Sequence, residues 1–323
     1  MKKLLYIIVF LTISVFSCKT DFDINANWKD ITIVYGLLNQ NDTTHYIKIN
    51  KAFLGNGNAL VMAQNPDSSS YGNNLEVWVE EWKNNSQTNL WYLDTTTIYN
   101  KDPGVFYAPK QVLYKFKAFL DVNAVYKLYI KNKLNGKLIS SSTSLVEPLD
   151  IEKPTAQQTA VFHSSSPYEV KWSTGLNGKR YQIVVRFNYW EKVFGATDST
   201  QKYVDWDLGS YVSTGTNGGE EMETTYNGQS FFSFLRAKIG NPPNIIRHVA
   251  TPNVDFIFSV AADEFNTYME VNAPSTGVTQ EKPQYTNIDN GIGIFSSRFQ
   301  MDRKLAMHPY SLDSLYNGHL GFQ

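Results

Sequence analysis

The chain has 323 residues, 29 Lys and Arg against 30 Asp and Glu, and one cysteine. A formal charge of −1 excludes an electrostatic grip on nucleic acid or an anionic surface, and a single thiol excludes disulfides and zinc-thiolate sites. Tyr, Phe and Trp make up 14% of the residues, which favours half-buried pleated strands.

The first element is a leader. Lys2 and Lys3 precede an apolar run over residues 4–16 that only Thr12 and Ser14 interrupt. Its length suits a signal-peptide core and is short of the roughly 20 apolar residues a membrane span needs. Val15-Phe16-Ser17-Cys18 follows, with an aliphatic residue three before the cysteine and a small one beside it. This resembles a bacterial lipobox. The resemblance implies that residues 1–17 are a lipoprotein signal peptide, that Cys18 is diacylated and becomes the amino terminus, and that the protein is held at a membrane by lipid. Several acyl chains hold firmly where one is marginal, at about 0.8 kcal/mol per buried CH₂. Residues 18–27 then read as a tether. Their Cys-Lys-Thr-Asp-Phe-Asp start resembles the lysine-then-acidic signal that sends lipoproteins of Bacteroidota to the outer face of the outer membrane, although Phe22 splits the acidic pair. The periplasmic leaflet stays open as an alternative.

From there the apolar period is two. The stretch NLEVWVEEW sets Val77 and Val79 on one face, leaving Trp78 and Trp82 with Glu76 and Glu80 on the other. Tryptophan mixed with carboxylates on a sheet face is the composition of a sugar or peptide platform, and equally of a core that another layer covers. Tyr126, Leu128 and Ile130 alternate before a hairpin signal at Asn135-Gly136. The prolines and charges of EPLDIEKP, residues 147–154, mark a boundary between a first β domain over residues 28–146 and a second over 154–273. In the second, a strand ending at Trp172, a turn at Asn177-Gly178 and a strand with Tyr181, Ile183, Val185, Phe187 and Tyr189 on one face are similar to a fibronectin-III or immunoglobulin sandwich. Trp190 shares the opposite face with Arg186 and Asn188. Two short helices are expected: one starting near Ser230, with Phe231, Leu235 and Ile239 inward, and one with Phe265, Tyr268 and Met269 inward. The fold class is therefore mostly β, as two antiparallel sandwich-like domains with one or two helices, followed by a C-terminal extension over residues 274–323.

That extension carries Asn287, Ile288, Asn290, Gly291, Gly293 and Phe295 in the pattern NI-x-NG-x-G-x-F. With the opening stretch ITIVYGLLNQND, where Gly36-Leu37-Leu38 reads as a turn, the chain resembles a Bacteroidota lipoprotein family catalogued as domain of unknown function 4249, from about residue 30 to residue 300. The resemblance implies an all-β outer-membrane lipoprotein that accompanies TonB-dependent transporters, and supplies no catalytic residue. Read from the residues alone, Asn290-Gly291 is a tight turn and Gly293 a close backbone approach, either structural or part of a ligand loop.

The chemistry signals are few. The chain has no Gly-x-Ser-x-Gly elbow, His-Glu-x-x-His, phosphate loop or dinucleotide fingerprint. His45, His163, His248, His308 and His319 are scattered singly, so no metal and no cofactor is expected. Asp205 and Asp207 share a strand face about 7 Å apart, a spacing open to a glycosidase pair, a calcium site or a solvated face. The leading expectation is a non-catalytic surface lipoprotein that binds a glycan, a peptide or a transporter. A hydrolase would need Asp205, Asp207, Glu220 and Glu221 to converge, and an envelope adhesin or scaffold is the third class.

Overall fold

The computed structural model describes residues 31–52, 58–163, 167–274 and 283–323. The leader, Cys18 and the 18–27 tether lie outside the described residues. The protein is mostly β, as the alternation requires.

In the first half, β1 (Thr32–Leu38), β2 (Thr44–Lys51), β5 (Asp94–Ile98) and β6 (Gln111–Lys117) form one layer; β3 (Leu75–Lys83), β4 (Ser86–Tyr92), β7 (Val125–Asn132) and β8 (Leu138–Ser144) form the other. Val34, Leu38, Ile47 and Phe116 from the first layer meet Val77, Val79, Leu128 and Ile130 from the second to make one core. The Asn135-Gly136 signal does join β7 to β8, with Gly136 at φ 72°. Gly36-Leu37-Leu38 is the end of β1, not a turn. A Cβ at Gly36 would sit 3.0 Å from the Phe295 ring, so a side chain there would crowd the core. Two short helices, α1 (Ala59–Ala63) and α2 (Pro66–Ser69), bridge β2 to β3; the side chains of Asn58 and Asn65 cap them.

The second half is a sandwich. One layer is β9 (Asp150–Lys153), β10 (Tyr168–Ser173) and β13 (Glu221–Tyr226), in the order β13-β10-β9. The other is β11 (Gly178–Val193), β12 (Thr200–Val212), β14 (Ile245–Ala262) and β15 (Gly291–Leu305), in the order β12-β11-β14-β15. Lettered A, B, C, C′, E, F and G along the chain, this is the strand order of an immunoglobulin-type sandwich. Tyr181, Ile183, Val185, Phe187 and Tyr189 all face its core, with Trp172 fully buried opposite. Helix α3 (Gly228–Ile239) closes one end: Phe231 and Leu235 are buried, and Phe231 stacks 4.0 Å from Phe162. Its cap is Asn227, whose Oδ1 accepts from the Ser230 amide, rather than Ser230 itself. The buried Arg247 donates to the carbonyls of Ile239, Gly240 and Leu320, which ties the end of α3 to the C-terminal tail, and pairs with Glu191 at 3.0 Å. Helix α4 (Asp263–Asn272) links β14 to β15 and α5 (Pro309–Tyr316) follows β15. Three of these five helices, α1, α2 and α5, go beyond the one or two expected.

Within the expected C-terminal extension, the described residues 283–323 are built into both halves. β15 is the G strand of the second sandwich and also pairs in parallel with β1, from Thr32 opposite Gly291 to Leu38 opposite Ser297. One eight-stranded sheet results, β12-β11-β14-β15-β1-β2-β6-β5. Phe295 enters the first core and Phe299 the second. Four residues apart on a strand, they face the same way, so the two smaller sheets lie side by side on one face of the long sheet. Helix α4 lies on the opposite face, where Glu264 accepts from the Ser296 hydroxyl and Tyr268 meets Tyr35 edge-on.

Candidate functional site

The C-terminal motif is a corner between sheets. Asp289 bridges to Ser140 of β8 through both backbone groups, at 2.8 and 3.3 Å. The chain then turns at Asn290 (φ 58°), whose side-chain amide donates to the Leu138 carbonyl, and enters β15. Asn287 clamps the corner shut: its Oδ1 accepts from the Phe295 amide at 3.0 Å and its Nδ2 donates to the Phe295 carbonyl at 2.6 Å. Ile288 plugs the first core. Gly291 and Gly293 have no room for a side chain; a Cβ at Gly293 would lie 2.0 Å from the Val34 carbonyl oxygen, on the parallel partner β1. The six motif residues thus fold the corner and supply the docking strand.

The structure brings Trp78, Trp82 and Glu80 together on the outer face of β3, with Glu76 exposed beside them and Val77 and Val79 in the core. Both indole N–H groups donate to Glu80, at 3.2 Å from Trp78 and 2.7 Å from Trp82. Trp78 stacks on Tyr129 at 5.2 Å with Tyr92 on its other flank, and the Lys127 ammonium sits 3.8 Å over the Trp82 ring. The tryptophans are half-buried and packed among their neighbours rather than lying open as flat tiles.

Register explains what this face offers. Tyr92, Trp78, Tyr129 and Ser140 lie in one row across β4, β3, β7 and β8, and the bridge adds Asp289. Three aromatic rings stand side by side, then the row drops to a serine. Beside Tyr129 this leaves a cleft of about 290 Å³ lined by Lys127, Ser140, Ser142, Glu264, Asn287 and Asp289. An aromatic wall facing hydroxyl, amide, ammonium and carboxylate groups suits a ligand with one apolar face and several polar groups. Asn287 and Asp289 come to this cleft from the corner motif, a convergence that only the strand register reveals.

The carboxylates singled out for hydrolysis do not converge in one pocket. Asp205 makes a bidentate pair with Arg186 at 2.7 and 2.8 Å, and Arg186 covers the Tyr203 ring. Asp207 accepts from Gln182 and caps the Gly209 amide, which sits at φ 112° beside a bulge. Glu220 is held in its own loop by the amide and hydroxyl of Thr214, and Glu221 is exposed on β13. Trp190 is 38% exposed on the outer face of β11, as alternation with Tyr189 requires. His163 and His308, distant in sequence, have rings 5.0 Å apart, with His308 Nδ1 capping α5. Among the described residues no three metal-ligating side chains cluster, and no helix is long and apolar enough to cross a membrane.

No family model and no curated protein matches the chain. Among solved structures, the C-terminal globular domain of an oligosaccharyltransferase from Pyrococcus abyssi is similar at a TM-score of 0.22 and 8% identity, over 68% of this chain and 45% of that one. A likeness that low carries no argument about fold or function.

Proposed function

We propose that this protein is a non-catalytic, lipid-anchored outer-membrane protein, held by acyl chains on Cys18 and facing the cell surface. It binds a glycan or peptide on the outer face of the β4-β3-β7-β8 sheet, as an accessory to a TonB-dependent transporter. The observation that supports binding is the in-register row Tyr92, Trp78, Tyr129, Ser140 and its cleft, which sets an aromatic wall against hydroxyl, amide and charged groups. Anchoring and the transporter rest on the lipobox-like Val15-Phe16-Ser17-Cys18 and the resemblance to the Bacteroidota lipoprotein family. No observation favours the hydrolase reading, because Asp205, Asp207 and Glu220 each have a separate structural partner. The test is purification from detergent-solubilised outer membrane with identification of what co-elutes. A stoichiometric TonB-dependent transporter is the expected result, with the Cys18→Ala precursor left uncleaved. A protein that elutes alone, or a Cys18→Ala variant still processed at the same site, would sink the reading.

A further inference from the structure

A second recess lies on the α4 face of the long sheet, along β14 rather than beside β8. Two rows of the register define its floor: Gln182, Ser259 and Gln300 in one, Arg180, Ala261 and Arg298 in the next. The central strand β14 contributes only Ser259 and Ala261, while β11 and β15 each raise an arginine and a primary amide. Small residues flanked by long ones make a trough along β14. Helix α4 walls it with Phe265, Met269 and Glu270, and the β1–β2 turn closes the far side with Asn41 and Asp42. That turn is pinned in place by Asn41 Nδ2, which donates to the Gln300 carbonyl at 2.9 Å. This half-open trough has a volume of about 850 Å³, within the usual range for small-ligand clefts.

The two guanidinium groups differ in what they already hold. Arg180 is satisfied: Nε donates to Asn266 Oδ1 and Nη2 pairs with Glu270, both at 2.7 Å. Arg298, on the opposite bank, is exposed and has no hydrogen bond or ion pair among the described residues. A free guanidinium fork at the edge of a polar trough selects a planar anion with two acceptor oxygens. Among the described lining residues Glu270 offsets Arg180 and Asp42 offsets Arg298, so the recess is neutral before a ligand enters and a monoanion leaves less uncompensated charge there than a dianionic phosphate. The remaining polar lining is amide and hydroxyl: Gln182, Gln300, Ser210 and Ser259. Those groups complement the vicinal hydroxyls of a sugar, and the Phe265–Met269 wall complements its C–H face.

We propose that this trough is a binding site for an acidic saccharide, with Arg298 taking the carboxylate of a uronate ring. The inference does not depend on the Tyr129 cleft. It is tested by calorimetric titration of the full-length protein in detergent with tetragalacturonate, its fully methyl-esterified form and a tetraglutamate peptide. Saturable binding of tetragalacturonate is expected, weakened at least tenfold by methyl esterification and by Arg298→Ala, and weakened likewise by Ser259→Gln, which fills the floor without changing charge. Trp78→Ala is expected to leave this binding unchanged. The proposal is overturned by no saturable uronate binding, by binding indifferent to Arg298→Ala or to esterification, or by an Arg298-dependent preference for the peptide. Loss of uronate binding in Trp78→Ala would also overturn it, while moving the saccharide to the Tyr129 face and so supporting the function proposed above.

Discussion

Glu81 follows Val77 and Val79 on the core side of β3, and it is only 5% exposed. Its carboxylate accepts from Thr88 Oγ1 at 2.6 Å, Asn89 Nδ2 at 2.7 Å and the buried Tyr126 hydroxyl at 2.8 Å. Burial would raise its pKa, but its hydrogen-bond donors together outweigh it and hold the carboxyl below its ordinary value of 4.5; burial, and then the bond to Glu81, push the Tyr126 hydroxyl up. A depressed folded-state pKa means stability that is complete above about pH 4.5 and is lost as pH falls through the folded value. Glu81→Gln is expected to cost about 1–3 kcal/mol at neutral pH by spoiling a buried acceptor network, and to flatten the acid side of the stability profile. Urea melts of both proteins from pH 3 to pH 7 test this. An equal loss of stability in both on acidification would mean that Glu81 is not a titrating contributor. Gly293 is the other residue on which much depends. At φ 113°, against the Val34 carbonyl, Gly293→Ala adds left-handed strain of about 1–3 kcal/mol to a backbone overlap, and should loosen β15 from β1. Hydrogen exchange at the β1 amides reads this directly, and unchanged protection there would refute it.

At the scale of elements, the β3 face separates packing from binding. Trp78 and Trp82 are half-buried, so their loss should cost less than the roughly 3–5 kcal/mol of a fully buried tryptophan. Replacing both by alanine is expected to lower stability by about 1–3 kcal/mol in total and leave the fold intact by circular dichroism. Global unfolding of the double variant would show that the tryptophans serve the core. Where one strand face is wet, the sequence pattern was sufficient: five alternate residues of β11 pointed inward as their spacing required, and β3 split into valine and tryptophan faces. It failed where both faces are covered. From Gly293 to Ser297 five successive residues of β15 are buried, under the first core on one side and α4 on the other, so no alternation marks the strand as shared. Helix α4 misled for a related reason. It rests on a polar sheet face, so its one buried residue is Asn266, bonded to Arg180, while Phe265 and Met269 line the trough. The Tyr129 cleft and the Arg298 trough were invisible because each needs one pairing between residues more than 70 apart, Ser140 with Asp289 for the cleft and Gln182 with Ser259 for the trough.

For the whole molecule, the consequence of β15 is coupling. The strand gives Phe295 to the first core and Phe299 and Leu305 to the second, and it carries the parallel pairing that fuses the two halves into one sheet. Two independent sandwiches would melt separately, each at its own temperature. Here the first core cannot keep Phe295 and Ile288 if β15 leaves, and the second cannot keep its G strand. Both halves should therefore unfold in a single cooperative transition. Phe295→Ala separates the two possibilities. Phe295 is fully buried beside Gly36, and its truncation should cost about 3–5 kcal/mol. If the halves are coupled, hydrogen exchange in the variant will accelerate equally in β3 and β7 of the first sandwich and in β10 and β14 of the second, though Phe295 touches only the first core. Faster exchange confined to β3 and β7, with β10 and β14 as protected as before, would mean that the long sheet joins two units that fold alone.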